Sequence, residues 1–164
     1  MKSLLIVYSY HHNNTQKAAQ AIAKVLEADI KTPEQTNPQE PSNYDLVGFG
    51  AGIDSGKHYR VLLDFADKLQ KVDNKDAFIF STAGVTGKKK LIKDQSSLRE
   101  KLEAKGYRIV DEFQCKGFNT MRRRLSFKTS FQSRQNTLPH LASCFTGKGK
   151  RKNLLWCIHM SEQF

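Results

Sequence analysis

A cluster of hydroxyl, amide and imidazole side chains follows the first apolar run of the chain. The segment "SYHHNNT", residues 9–15, leads into an alanine-rich stretch whose apolar residues recur every three or four positions. This spacing predicts a helix from Thr15, with Asn13, Asn14 or Thr15 as its cap. The unpaired N–H groups and the positive dipole end of a helix N-terminus bind anions. The first loop is therefore either a helix cap or an anion-binding site.

Two further loops of related chemistry follow later apolar runs. The segment "GAGIDSGKHY", residues 50–59, carries three glycines, and "STAGVTG", residues 81–87, combines hydroxyls with small residues. Glycine lacks a Cβ, so its backbone can approach a flat ligand closely, although glycine after a strand is also common in turns. Three such loops in succession favour a ligand site more strongly than one would.

Apolar runs rich in strand-forming residues alternate with helical patterns through the first part of the chain. This alternation predicts a parallel α/β sheet with helices on both faces and right-handed crossovers. Ligands of such sheets bind outside the carboxyl ends of the strands, where the three loops would lie together. The predicted strands are residues 3–8, 28–31, 44–50, 76–82 and 107–118. The predicted helices are residues 15–26, 59–72 and 91–105, and Gly106 is the predicted stop of the last one.

Other residue types indicate no metal, disulfide or membrane chemistry. Cys115, Cys144 and Cys157 form no CxxC pair, so we expect free thiols in a reducing cytoplasm. His11 and His12 are adjacent, point different ways and have no acidic partner nearby, so we predict no metal site. The longest apolar runs fall far short of a membrane span, and the N-terminus has no cleavage signal. The lysines at 88–90 are expected to form a solvated corner.

The last 44 residues differ sharply in charge from the rest. Residues 1–120 hold 18 Lys and Arg against 15 Asp and Glu, whereas residues 121–164 hold nine against one. We therefore divide the chain into a domain at 1–120 and an atypical basic segment at 121–164. Three explanations of the segment remain open: a basic extension that binds nucleic acid or another acidic surface, a diverged final helix, or a shifted reading frame near Met121. We favour the last.

The motifs, in this order, resemble the flavodoxin family. "NNT" before an alanine-rich helix is similar to that family's phosphate loop, and "YDLVGFGAGIDSGKHY" and "DAFIFSTAG" are similar to its third and fourth strands with their flavin-contacting loops. "LREKLEAKGYRIVDEFQCKGF" resembles its later helix and fifth strand. The resemblance covers about residues 1–119. It implies a flavodoxin-like three-layer α/β/α sandwich whose parallel five-stranded sheet has the order 2-1-3-4-5.

The resemblance also implies the cofactor site. The FMN phosphate would lie in the first loop and the flavin ring between the other two. One departure is that the family's usual phosphate loop is shorter and has a glycine before "NT", where this chain has His11, His12 and Asn13. The implied FMN contacts are Ser9, His11, Asn13, Asn14, Thr15, Ala51, Gly52, Ile53, Thr82, Ala83, Gly84 and Val85. The candidates for an aromatic residue stacked on the ring are Tyr10, His58, Tyr59 and Phe118, with Tyr59 equally a candidate for the helix core.

The function implied is electron transfer between cytoplasmic redox partner proteins. The flavin performs the chemistry in such a protein, so no side chain need act as acid, base or nucleophile. One alternative is an FMN-dependent quinone or flavin reductase that uses a nicotinamide, since typical flavodoxins are acidic and residues 1–120 are slightly basic. Another is a non-flavin module whose basic tail binds nucleic acid. A receiver domain is disfavoured because "YSYHH" replaces its acidic cluster.

Overall fold

The computed structural model describes residues 1–10 and 12–117, which form alternating strands and helices. The strands are β1 (Ser3–Tyr8), β2 (Asp29–Lys31), β3 (Leu46–Asp54), β4 (Lys57–His58), β5 (Lys75–Ala83) and β6 (Tyr107–Lys116). The helices are α1 (Asn14–Leu26), α2 (Arg60–Lys68) and α3 (Lys88–Ala104), with one 3-10 turn at Glu40–Asn43. Within these described ranges, no helix is both long and apolar enough to cross a membrane.

Five of the strands form a parallel sheet in the order β2-β1-β3-β5-β6. Counted without the short β4, this order is 2-1-3-4-5, so the predicted topology is confirmed. The long apolar runs of β1, β3 and β5 are buried on both faces, as expected for the central strands of a parallel sheet. The sheet also includes a sixth strand that the sequence did not predict, because β4 pairs antiparallel with the end of β3.

Helices cover both faces of the sheet and give the predicted three layers. On one face, Leu62 of α2 and Leu98 of α3 pack with Ile6 and Phe49 of the central strands. On the other face, α1 packs its apolar side against Leu5 and the neighbouring strands. Burial of these side chains contributes most of the stabilisation of each layer, at roughly 1.5–3 kcal/mol for a large aliphatic or aromatic side chain.

Glycines in the middle of β3 make room for aromatic rings. A Cβ at Gly48 would overlap the ring of Phe78, and one at Gly50 would overlap the ring of Phe80. These two rings stack with Phe113 of β6, with centroids 6.3 Å and 5.6 Å from it. Gly48 and Gly50 therefore serve the packing of the α1 face. Gly50, which was predicted to begin the second ligand loop, is instead part of β3.

Several predicted boundaries are wrong by a few residues at the ligand end of the sheet. The strand predicted at 44–50 runs from Leu46 to Asp54, so the predicted loop after it begins as strand and then folds back as a hairpin. The predicted corner at 88–90 is instead the first turn of α3, since its backbone bonds begin with Leu91 N–H donating to the Gly87 carbonyl at 2.8 Å.

The other boundary differences lie at the ends of later elements. Helix α2 stops at Lys68 because Leu69 has the extended dihedral angles φ −54° and ψ 140°. Strand β6 ends at Lys116, before the predicted residue 118. Several predictions lie outside the described residues. They are the predicted domain boundary at residue 120, the basic segment 121–164 with Cys144 and Cys157, and the roles of Phe118 and His11.

Candidate functional site

The three polar loops begin side by side at the carboxyl edge of the sheet. Tyr8 at the end of β1 is in register with Ala51 of β3, and Gly52 of β3 is in register with Thr82 of β5. The hydroxyl oxygens of Thr15 and Thr82 lie 2.8 Å apart and are buried. The first and third loops are thus joined by a hydrogen bond, and the convergence predicted from the sequence is observed.

The first loop enters α1 through two strained residues. His12 and Asn13 both have positive φ, 53° and 52°, a region that asparagine tolerates better than most residues do. Asn13 occupies the N-cap position, but its side chain accepts no capping hydrogen bond. The first helical bond runs from Lys17 N–H to the Asn13 carbonyl at 3.0 Å. By helix geometry, the N–H groups before Lys17 have no acceptor within the helix.

Ser9 adds an unpaired hydroxyl to this loop. Its Oγ is buried and has no hydrogen-bond partner among the described residues. An orphaned buried hydroxyl costs about 1–3 kcal/mol, so its presence needs an explanation. The side chain of Asn14 extends toward the end of β6, since a Cβ at Gly117 would lie 3.2 Å from the Asn14 amide nitrogen. Hydroxyl, amide and free helical N–H donors thus gather at one end of α1, the donor set that a phosphate accepts.

The second loop is a tight β-hairpin. Ser55 and Gly56, at φ 51° and 80°, form its turn, which requires positive φ at both central positions. The flanking strands hold Ile53 opposite His58. Of the predicted contact residues here, Ala51 is buried in the sheet, while Gly52 and Ile53 are partly exposed where the hairpin leaves it. The hairpin therefore projects past the carboxyl edge of the sheet.

An aromatic cluster lies between the first loop and the hairpin. The ring of Tyr59 packs edge-on against Tyr8 at a centroid distance of 5.6 Å and lies 6.0 Å from Tyr10. Gly52 permits this packing, because a Cβ there would lie 2.8 Å from the Tyr59 ring. Burial and the nearby Asp54 raise the pKa of the Tyr59 phenol. Tyr10 is 65% exposed, so the cluster presents an aromatic surface at its outer end.

His58 cannot serve as a stacking residue, which corrects one of the four aromatic candidates. Its side chain is only 2% exposed and points into the protein. Burial lowers its pKa to about 4, an effect that the charge of Asp94 partly opposes. Tyr10 and Tyr59 remain at the edge as candidates.

The third loop is short and open. Thr82 and Ala83 belong to the buried end of β5, and Gly84 and Val85 begin the exposed part. Val85 is 67% exposed, an unusual position for a large apolar side chain. Because the Thr82 hydroxyl is bonded to Thr15, its role within the described structure is to connect the loops. Gly84 and Val85 are the predicted contact residues that the structure leaves exposed in this loop.

Sequence reasoning missed a buried polar cluster beneath the hairpin. Asp94 is 1% exposed and accepts hydrogen bonds from Lys90 at 3.0 Å and from Gln114 at 3.2 Å. Gln95 donates to Ser81 at 2.9 Å and to the Phe113 carbonyl at 2.8 Å. The signal was available, since residues 94 and 95 fall three and four positions after Leu91 on the apolar face of α3. These bonds fix α3 against β5 and β6 below the site.

Comparison with known proteins agrees with this architecture. The model of the flavodoxin domain family matches residues 5–141. An uncharacterised protein of Methanocaldococcus jannaschii is 48% identical over 120 residues, which are 73% of this chain and 78% of that protein.

Solved flavodoxins share the fold at low sequence identity. Flavodoxin 2 of Bacillus cereus is 20% identical with a TM-score of 0.60, and the match covers 71% of this chain and 85% of that one. A flavodoxin of Streptococcus pneumoniae is 12% identical with a TM-score of 0.61, over 75% and 89% of the two chains. Because the family model matches most of the chain and a relative is nearly half identical, the chain belongs to the flavodoxin domain family.

Proposed function

We propose that this protein binds FMN at the carboxyl edge of its sheet and carries electrons between redox proteins. The observation that carries the proposal is the orphaned Ser9 hydroxyl beside the uncapped N-terminus of α1. Neither group has a partner among the described residues, and both would gain one from a phosphate. Membership of the flavodoxin domain family supports the same assignment.

In this proposal the phosphate accepts hydrogen bonds from the first loop. Ser9 Oγ, the Asn14 amide and the N–H groups at the start of α1 are the donors. The Thr15 hydroxyl contributes indirectly, since its bond to Thr82 holds the first loop against the third. A dianionic phosphate is stabilised further by the positive end of the helix dipole.

The flavin ring would lie between the hairpin and the third loop. The hairpin turn at Ser55–Gly56 and the loop from Gly84 to Gly87 supply backbone groups on either side. Tyr10 and Tyr59 supply an aromatic surface next to the hairpin. FMN, when bound, accepts and returns one or two electrons, and the surrounding dipoles and charges of the protein set the potential at which it does so.

The two most buried titratable groups near the edge favour an electron carrier over an enzyme. Asp94 is held in a buried ion pair with Lys90. His58 is enclosed, with its pKa lowered by burial, so it stays neutral near pH 7. Both side chains are almost fully buried, so neither is placed to transfer a proton to a substrate that approaches the surface.

We extend the proposal to a reducing compartment, the cytoplasm. Cys115 is a free thiol, and burial raises its pKa to about 11. A thiol that stays protonated and partly enclosed is slow to oxidise. This state suits a compartment in which disulfides are rare.

The test is to titrate the purified full-length chain with FMN and follow quenching of flavin fluorescence. We expect saturation at one flavin per chain, and bound flavin that dithionite bleaches and ferricyanide restores. Absence of quenching with excess FMN would contradict the proposal. Rapid bleaching of the loaded protein by NADPH alone would instead favour the reductase alternative, because an electron carrier has no nicotinamide site.

A further inference from the structure

Basic residues are concentrated at the carboxyl edge of the sheet. All three helices follow strands that end there, so their first turns lie at this edge. The hairpin, the first two turns of each helix and the end of β6 hold eight basic and three acidic residues, a net charge of +5. We call this set the basic edge. It comprises Lys17, Lys57, Arg60, Lys88, Lys89, Lys90, Lys93 and Lys116, with Asp54, Asp64 and Asp94.

The charge is a property of this edge and not of the whole domain. The other residues up to 117 hold ten basic and twelve acidic side chains, a net charge of −2. The domain is therefore electrically asymmetric along its strand axis. Such a distribution orients a charged partner at long range even where the net charge is small.

Most cations of the basic edge are unpaired within the described residues. Arg60 and Lys90 form ion pairs, with Asp64 and Asp94 respectively. The other six basic residues of the edge form no ion pair with a described carboxylate. The remaining four ion pairs of the described chain lie elsewhere, at Lys31–Glu40, Arg99–Glu112, Lys101–Asp67 and Arg108–Asp76.

The placement of these lysines opposes helix stability. Helix α3 begins with Lys88, Lys89 and Lys90, and none of the three described α-helices has an acidic residue in its first turn. A cation at a helix N-terminus is unfavourable by about 0.3–1 kcal/mol at low salt. Lys90 is paired with the buried Asp94, but the positions of Lys88 and Lys89 have no explanation in the folding of α3.

We infer that the basic edge is the docking surface for an acidic redox protein, an inference that rests on the proposed FMN function. The charges surround the three loops where the flavin would be exposed, so the protein that exchanges electrons must approach through them. Complementary charge raises the rate of such encounters and favours productive orientation. Nucleic acid is the competing polyanion, but nothing requires it to approach the flavin.

The first test measures electron transfer from the reduced, FMN-loaded protein to small ions of opposite charge. One reduced flavin gives one electron to each of two ferricyanide ions, returns to its oxidised form and releases its protons. Hexaammineruthenium(III), a cation, replaces ferricyanide in a parallel series. The edge variant is K88Q/K89Q/K93Q, and the matched control K24Q/K68Q/K71Q removes three exposed lysines from elsewhere.

We expect the ferricyanide rate at low ionic strength to fall about tenfold in the edge variant and to change less than about twofold in the control. The hexaammineruthenium rate should rise in the edge variant. Equal changes in both variants would show that only net charge matters, and no change in either would show that the edge does not act on the flavin. Each of these two outcomes overturns the inference.

The second test needs no flavin and separates the kinds of partner. Poly-L-glutamate serves as an acidic polypeptide and a duplex DNA oligonucleotide as a nucleic acid, each titrated against the full-length wild type and both variants. Weaker poly-L-glutamate binding in the edge variant alone, with DNA binding equal in the two variants, supports the inference. Loss of DNA binding in the edge variant alone overturns it in favour of a nucleic-acid surface. If FMN fails to bind, the proposed function fails, whereas the poly-L-glutamate result still reports on the edge.

Discussion

The two ends of the sheet differ in how many of their polar groups form hydrogen bonds within the chain. At the amino edge, Lys2 and Asp45 bond each other through the Lys2 N–H at 2.7 Å and the Asp45 N–H at 2.8 Å. The turn before β5 is bonded to the turn before β6, since Val72 N–H donates to the Lys105 carbonyl at 2.8 Å. At the carboxyl edge, by contrast, the Ser9 hydroxyl and the start of α1 lack partners within the described chain.

We interpret this difference as a division of roles, in which the amino edge serves folding and the carboxyl edge serves the proposed binding of FMN. Groups bonded within the chain stabilise the fold before any ligand arrives. Polar groups without partners lower the stability of the fold until a ligand supplies the missing hydrogen bonds, as is expected of a ligand-binding site. Ser3 is an exception at the amino edge, because its Oγ is also buried and unpaired. Ser3 begins β1 and Ser9 directly follows the end of that strand, so Ser3 provides a matched control.

The largest effect is expected from Gly106→Ala at the amino edge. Gly106 has a φ of +88°, and a Cβ there would overlap the Val72 carbonyl oxygen. We expect the free energy of unfolding to fall by about 3 kcal/mol or more, because both the backbone conformation and the turn contact are disturbed. Urea unfolding measures this change. The control is Gly87→Ala at the carboxyl edge, where a Cβ would meet nothing within 4 Å. An equal loss in the two variants would contradict the comparison.

A pH effect of similar size is expected from His58. In the folded protein its pKa is lowered to about 4, whereas unfolded histidine keeps a value near 6.5. As the pH falls from 6.5 to 4, His58 binds a proton in the unfolded state but not in the folded state, so the free energy of unfolding decreases. The loss reaches about 3 kcal/mol at the acid end.

The His58→Leu variant should lack this pH dependence. Asp111 works in the opposite direction, because burial raises its pKa to about 6 and its stabilising contribution is lost as the pH rises through that value. That contribution is common to both proteins, so the difference in unfolding free energy between wild type and H58L isolates His58. A difference that stays constant between pH 7 and pH 5 would show that the imidazole is not enclosed as described.

Substitution of Ser9 should act on binding and stability with opposite signs. Ser9→Ala removes a phosphate donor, so we expect FMN to bind about tenfold more weakly. It also removes an orphaned buried hydroxyl, so the FMN-free protein should become more stable by about 1 kcal/mol. Ser3→Ala should give the same gain in stability with unchanged FMN affinity. Fluorescence titration and urea unfolding of both variants test the pair, and equal FMN affinities would contradict the assignment of Ser9.

The smallest effect is expected from Asp67→Asn, which breaks the exposed ion pair with Lys101 at the C-terminal end of α2. Exposed pairs contribute little, so the free energy of unfolding should fall by about 0.5 kcal/mol. FMN affinity should not change, because this pair lies far from the three loops. Thermal unfolding at low and high salt checks the result, since salt should remove most of the difference. A change in FMN affinity would show that the two edges are coupled.

Much of the fold and the grouping of the site could be predicted from the sequence. Alternating strand and helix patterns predict the sheet order, and that order brings the ends of β1, β3 and β5 together. Strand β4 was missed because it has only two residues, too few to show a strand pattern in the sequence. Its turn also depends on a positive φ at Ser55, which the sequence does not indicate. The burial of Asp94 was missed, although Asp94 lies three positions after Leu91 on the apolar face of α3, because its partner Gln114 comes from β6. The exclusion of His58 from stacking also depends on tertiary packing that the sequence does not display.

The most direct test of the central claim compares FMN with riboflavin, which has the same ring and lacks the phosphate. Both are titrated against the full-length chain while flavin fluorescence is followed. We expect FMN to bind at least about tenfold more tightly, because Ser9 and the start of α1 gain their partners only from the phosphate. Equal affinities for the two flavins, or binding of neither, would contradict it.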